Sequence, residues 1–147
     1  MKRLVSQLNG SKINSIYSSP EEKALITSKH ISQQHDIPLT VQNTLKEVDR
    51  SKAGYIEGDY TKIVEQYLSN DGFDYEWEQL DSVKERAKAF IKAVEHETGT
   101  VFVVSHGMFL SILLHEYFKK DIVEFWKHLK FGELIKVDFE RLKEQWL

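Results

Sequence analysis

Apolar side chains recur along this chain in two rhythms, short alternating or unbroken runs and longer stretches spaced by three and four, and the two rhythms take turns. Leu4, Val5 and Leu8 share one side of a helical turn that Asn9-Gly10 stops, so the chain opens on what reads as the end of a helix. Residues 13 to 17, Ile-Asn-Ser-Ile-Tyr, predict a short strand. Ser18-Ser19-Pro20-Glu21-Glu22 follows and predicts a helix start, with Ser19 as N-cap, Pro20 at the first helical position and Glu22 as the capping-box acid. That helix runs to about Gln34, Asp36-Ile37-Pro38 breaks it, and Leu39 to Val41 forms a second short strand. Residues 43 to 60 are polar, contain Gly54 and Gly58 and show no period, which predicts an irregular loop lying over the domain.

A helix is predicted at about 60 to 69 and a longer one at about 82 to 98. In the second, Val83, Ala87, Phe90, Ile91 and Val94 form one stripe that must face a core. Ser82 and Glu85 are placed for a capping box, and Gly99 for a left-handed C-cap. Thr100 to Val104 is an unbroken β-branched and aromatic run, suited to a strand buried on both faces. It ends in Ser105-His106-Gly107, and the helix that follows, Met108 to Leu114, is apolar nearly all round and therefore buried. A helical stretch at about 121 to 129 leads to Gly132, and Leu134 to Phe139 alternates as a strand does. Strands and helices in this alternation indicate an α/β fold, helices packed on a mainly parallel sheet.

Composition narrows the function. The 147 residues fit one domain, residues 1–147, with no repeat and no linker. Twenty basic and 23 acidic side chains give a net charge of −3, which offers no electrostatic reason to bind nucleic acid. No cysteine is present, so disulfides, thiolate nucleophiles and cysteine-zinc sites are excluded, and a reducing, cytoplasmic location fits. The N-terminus lacks a signal-peptide core and no stretch approaches about 20 continuous apolar residues, so no membrane association is expected.

In parallel sheets, ligands bind beyond the carboxyl ends of strands, where helices point free N–H groups outward. Ser18-Ser19-Pro20 and Ser105-His106-Gly107 are the two places built that way. Gly107 permits close backbone approach, and a protonated imidazole donates to an anion, so phosphate is the natural ligand. The residues alone leave open that His106 only caps a buried helix. Glu47 by itself reads as a solvated loop glutamate, and Lys23 as a helix-surface lysine.

Four segments in order, INSIYSSPEEKALITS, LKEVDRSKAGYIEG, EQLDSVKERAKAFI and VFVVSHGMFLSILL, resemble the histidine phosphatase superfamily, the phosphoglycerate-mutase-like proteins. The resemblance covers roughly residues 1 to 139. It implies a three-layer α/β/α domain with a mainly parallel sheet, acting on or binding a phosphomonoester, a phosphorylated small molecule, with no cofactor and no metal. In that family a histidine of an Arg-His-Gly motif attacks phosphorus, an acid protonates the leaving oxygen, and a second histidine with arginines holds the phosphoryl oxygens. Carried over, His106 matches the second histidine and Glu47 the acid, both catalytic, while Lys23, Gly107 through its backbone N–H and Ser18 at the first strand end are expected to bind the phosphate. Lys23 stands where the family has arginine, keeping the charge without the bidentate fork. Glu78 and Arg86 match only loosely, with Trp77 in a glycine's place, and read as structural.

No Arg-His-Gly occurs in the sequence. The resemblance therefore implies a domain lacking its first strand, N-terminally truncated, with catalysis impaired; a catalytically inactive phosphate-binding or structural relative is the alternative. His30, His35, His96, His115 and His128 are expected on surfaces or core margins. His115-Glu116 lacks the second histidine that a zinc helix needs, so no metal site is expected. The missing strand would leave an open sheet edge beside Val101 to Val104, covered by Leu134 to Phe139 or by a homodimer. A lid-like insertion is expected at about 48 to 80, its aromatic residues facing either a partly apolar leaving group or the lid's own interior.

Overall fold

The computed structural model describes residues 12–129; the expected helical turn at Leu4 to Leu8, Gly132 and the strand at 134 to 139 lie outside the described residues. In chain order the elements are β1 (Ser15–Ser18), α1 (Glu22–His35), β2 (Leu39–Val41), a 3-10 turn (Asn43–Leu45), α2 (Tyr60–Ser69), α3 (Leu80–Val94), β3 (Val101–Val104), α4 (Gly107–Phe118) and α5 (Ile122–His128). The strands form a parallel sheet in the order β2-β1-β3.

The strand period of two sorts the side chains between two helical layers. Ile16 is in register with Phe102, and both pack with Ile31 of α1. Tyr17 is in register with Val103, and both pack on the larger cluster built from α2, α3 and α4. All five residues of the α3 stripe, Val83, Ala87, Phe90, Ile91 and Val94, are buried, as are Met108, Phe109, Ile112, Leu113 and Leu114 of α4. Burial of one helix face and most of another against a central sheet produces the expected α/β/α layering.

Three local expectations are corrected. Helix α1 starts two residues later than predicted, with Glu21 as an N-cap whose side chain makes no capping bond. Ser19 still accepts a backbone N–H, from Glu21 at 3.1 Å, but its hydroxyl is turned towards His106. Helix α3 starts at Leu80 and ends at Val94, because Ser82 bonds the Glu78 carboxylate instead of capping and Glu97 is drawn away to accept from the Tyr17 hydroxyl. Strand β3 pairs with β1 alone among the described residues, and Val101, Val103 and Val104 are only half-buried. Its apolar run therefore lies at the described sheet's edge, not at its centre.

Gly99 has the positive φ, +79°, that its sequence position suggested, but it sits in the turn entering β3, beyond the end of α3. There the Asn14 side chain accepts from the Thr100 N–H at 2.8 Å, and a Cβ on Gly99 would lie 2.2 Å from that same oxygen. Gly99→Ala combines backbone strain with this clash and is expected to lower stability by about 2 kcal/mol. A urea midpoint unchanged from wild type would contradict this account of the turn.

Candidate active site

Parallel register brings the ends of β1 and β3 side by side: Ser18 is opposite Val104, and the Ser19 N–H donates to the Val104 carbonyl at 2.9 Å. The two loops that the sequence singled out therefore leave the sheet together. His106, the extended N-cap residue of α4, reaches across so that its Nε2 lies 2.8 Å from the Ser19 hydroxyl and 3.6 Å from a Glu21 carboxylate oxygen. Its side chain is 16% exposed, so the ring is held from one side and open on the other.

The hydroxyl facing His106 belongs to Ser19 and not to Ser18. Ser18 is fully buried and its hydroxyl donates to the Ser19 carbonyl. A strand's alternation explains the difference, since adjacent side chains point to opposite sides. Gly107 opens α4, and the position of its absent side chain faces Trp126 and Leu129 of the α5 end.

Glu47 sits against the start of α4. One carboxylate oxygen accepts from the Phe109 N–H at 2.8 Å and the other from Met108 at 3.1 Å, with a further bond from Val48. A carboxylate is well placed there, on N–H groups that lack helical partners and at the positive end of the helix dipole. The loop carrying Glu47 is fixed from α3. Arg86 donates to the carbonyls of Thr44, Lys46 and Glu47 and makes two bonds to the Glu78 carboxylate, at 2.8 and 2.9 Å, while its guanidinium lies over the Phe109 ring. Ser105 adds a bond to the Leu45 carbonyl. Burial pushes the Glu78 carboxyl up, but the Arg86 hydrogen bond, the Asp49 N–H and the guanidinium charge outweigh it and hold the group below the usual carboxylate range.

These groups line an open cleft of about 1200 Å³ that includes Glu21, Lys23, Glu47, Arg50, Trp77 and His106. Five lysine or arginine side chains and six acids face it, so it is electrostatically mixed, with Arg86 and Glu78 already spent on each other. Lys23 and Glu47 meet His106 in one cleft, whereas Ser18 and Gly107 are not among the residues that line it. The other histidines are half-buried or exposed and lie outside this cleft, and among the described residues no group of three His, Asp or Glu side chains is arranged to hold a metal. Among the described residues no helix is long and apolar enough to cross a membrane.

The sequence pattern of the histidine phosphatase superfamily (branch 1) matches residues 1–146. The chain belongs to the histidine phosphatase superfamily. It is 31% identical over 123 residues to Probable phosphatase C1620.13 of Schizosaccharomyces pombe, an alignment that takes in 77% of this chain and 43% of that protein. Its fold is similar to that of YhfR from Bacillus stearothermophilus, with a TM-score of 0.64 at 23% identity, covering 84% of this chain and 66% of the other. A phosphoserine phosphatase from Entamoeba histolytica, in complex with phosphoserine, gives 0.62 at 22% identity over 86% of this chain and 66% of its own. The chain thus spans less than half of the curated relative and just under two thirds of these solved structures.

Within this histidine phosphatase family member, the segment expected to form a lid contains α2 flanked by two loops. Tyr67, Phe73 and Trp77 meet edge-on or tilted with ring centroids 4.9 to 5.1 Å apart, and Tyr67 and Trp77 are almost fully buried. These three rings pack into the main core cluster with Val83, Ala87 and Phe109, so burial in the core accounts for them. Sequence reasoning missed Ser19 as the partner of His106 and passed over Glu21 altogether. No local signal marks either residue, since the ring they meet is brought to them by the pairing of β1 with β3.

Proposed function

We propose that this chain binds the phosphoryl group of a small phosphomonoester at His106, in the manner of a histidine phosphatase. The observation that carries the proposal is the convergence of two strand ends on one partly open imidazole, with Lys23 in the same cleft. In its protonated form the ring donates from Nε2 to a phosphoryl oxygen, which takes the place of the Ser19 hydroxyl on that nitrogen. Lys23 adds a single positive charge in place of a bidentate fork, which gives attraction with looser orientation. Glu47 is the acid in this reading. To protonate a leaving oxygen Glu47 must itself carry a proton, on an oxygen that gives up its N–H partner at the start of α4, and that proton passes to the leaving oxygen as its bond to phosphorus breaks. The phosphoserine and 3-phosphoglyceric acid seen in the similar Entamoeba histolytica structures support a small phosphorylated ligand.

A second reading, phosphate binding without turnover, is favoured by one observation. Among the described residues His106 is the sole histidine lining the cleft, so no second imidazole faces it as an attacking group. The two readings separate in one pair of assays. Orthovanadate binding followed by calorimetry is expected to weaken at least about tenfold in His106→Ala, the loss expected for one charge-assisted hydrogen bond. Hydrolysis of an aryl phosphate that also depends on His106 identifies an enzyme, while binding without hydrolysis identifies the inactive relative. Wild-type protein that binds no oxyanion sinks both.

Among the described residues β3 has a strand neighbour on one side only, which extends the proposal to a partner, a second copy pairing along that edge. Elution at twice the chain's mass is the expected result, and elution as a monomer alone removes it.

A further inference from the structure

The cleft already contains an anion next to His106. One oxygen of Glu21 accepts from the Glu47 N–H at 3.0 Å, and the other lies 3.6 Å from His106 Nε2. The carboxylate is therefore tied to a backbone donor of the acid-bearing loop and held at ion-pair distance from the imidazole, the group that a phosphoryl ligand would also use in the proposed reading. Its side chain is 44% exposed, so water can replace these contacts and the carboxylate can swing away without unfolding α1. Glu22, the next residue, lines the same cleft, yet its side chain makes no such bridge.

We infer that Glu21 is an internal competitor for the oxyanion position, an affinity-setting residue that a phosphorylated ligand must displace. The inference rests on the proposed binding of phosphate at His106. Two like charges facing one imidazole nitrogen a few ångströms apart repel, so a bound phosphate and a Glu21 carboxylate in this position compete for it. The bridge carries a consequence for selectivity too. A ligand has to offer the imidazole more than a carboxylate does, and a phosphomonoester dianion with three acceptor oxygens does so where a simple carboxylate does not.

The test is orthophosphate binding to the whole chain, followed by phosphorus NMR line width, in wild type, Glu21→Gln and Glu22→Gln. The glutamine at 21 keeps the size and the acceptor oxygen for the Glu47 N–H while removing the charge. The expected result is binding about tenfold tighter in Glu21→Gln and little changed in Glu22→Gln. Equal tightening in both variants would mean that only the overall charge of the cleft matters, and would overturn the inference. Unchanged or weaker binding in Glu21→Gln, with wild type still binding through His106, overturns it while leaving the phosphate reading intact. If neither wild type nor Glu21→Gln binds phosphate, both fall together.

Discussion

Arg86→Met is expected to destabilise the fold by about 3 kcal/mol, the lower end of the range for stripping one partner from a largely buried ion pair. The side chains of Arg86 and Glu78 are only 20% and 16% exposed, so the Glu78 carboxylate left behind has little water to turn to. The carbonyls of Thr44, Lys46 and Glu47 lose their shared donor in the same step, and the Phe109 ring loses the guanidinium above it. Chemical denaturation measures the loss, and a change below about 1 kcal/mol, the worth of an exposed pair, contradicts the assignment. Acid gives an independent reading. Because the folded Glu78 carboxyl is held below its ordinary range, its contribution is present above the unfolded value and disappears as pH falls through the depressed folded one. Wild type should therefore lose stability on acidification through and below the usual carboxylate range, and Arg86→Met should lose less of it there. Arg86→Lys is expected to recover only part, since one ammonium cannot span the Glu78 carboxylate and three carbonyls.

Phe109→Ala is expected to cost about 3 to 5 kcal/mol, as for other large aromatic truncations in a closed core. Phe109 is fully buried in the main cluster, and it lies three residues past His106 on the helix that carries the cleft. Its N–H is one of those held by Glu47, and its ring underlies Arg86, so the cavity opens beneath both supports of the loop. Calorimetric unfolding distinguishes the outcomes: a fall in midpoint far smaller than that for a core aromatic would mean that neighbouring side chains close over the gap. Phe109→Leu should recover much of the loss, because volume and not aromaticity sets most of this term.

The sequence revealed what short-range periodicity controls. The α3 stripe, the apolar α4 and the strand runs at Ile16-Tyr17 and Val101 to Val104 each repeat at a spacing that only one kind of element buries, and each formed where expected. The pairing of the Ser18-Ser19 turn with Ser105-His106 followed from one general property of parallel sheets, that strand ends on one edge share a ligand site. What escaped was decided by partners distant in sequence. Ser19 has the composition of a cap, and nothing local says that a ring 87 residues away takes its hydroxyl. Ser82 had the same promise, and the partner that took its hydroxyl, Glu78, is near in sequence but is itself fixed by Arg86 eight residues on. Glu47 resembled a solvated loop acid because its donors, Met108 and Phe109, lie some sixty residues downstream. Arg86 likewise reaches carbonyls 39 to 42 positions upstream, a role carried by backbone oxygens that every residue has and that no sequence pattern displays.

The nitrogen NMR shift of the His106 ring during titration with orthovanadate tests the central claim most directly. The account predicts that, of the protein's six imidazoles, the His106 ring responds most strongly, with Nε2 shifting more than Nδ1 and the response saturating with the binding isotherm. Binding that shifts a different histidine, or that leaves the His106 ring unmoved, would contradict it.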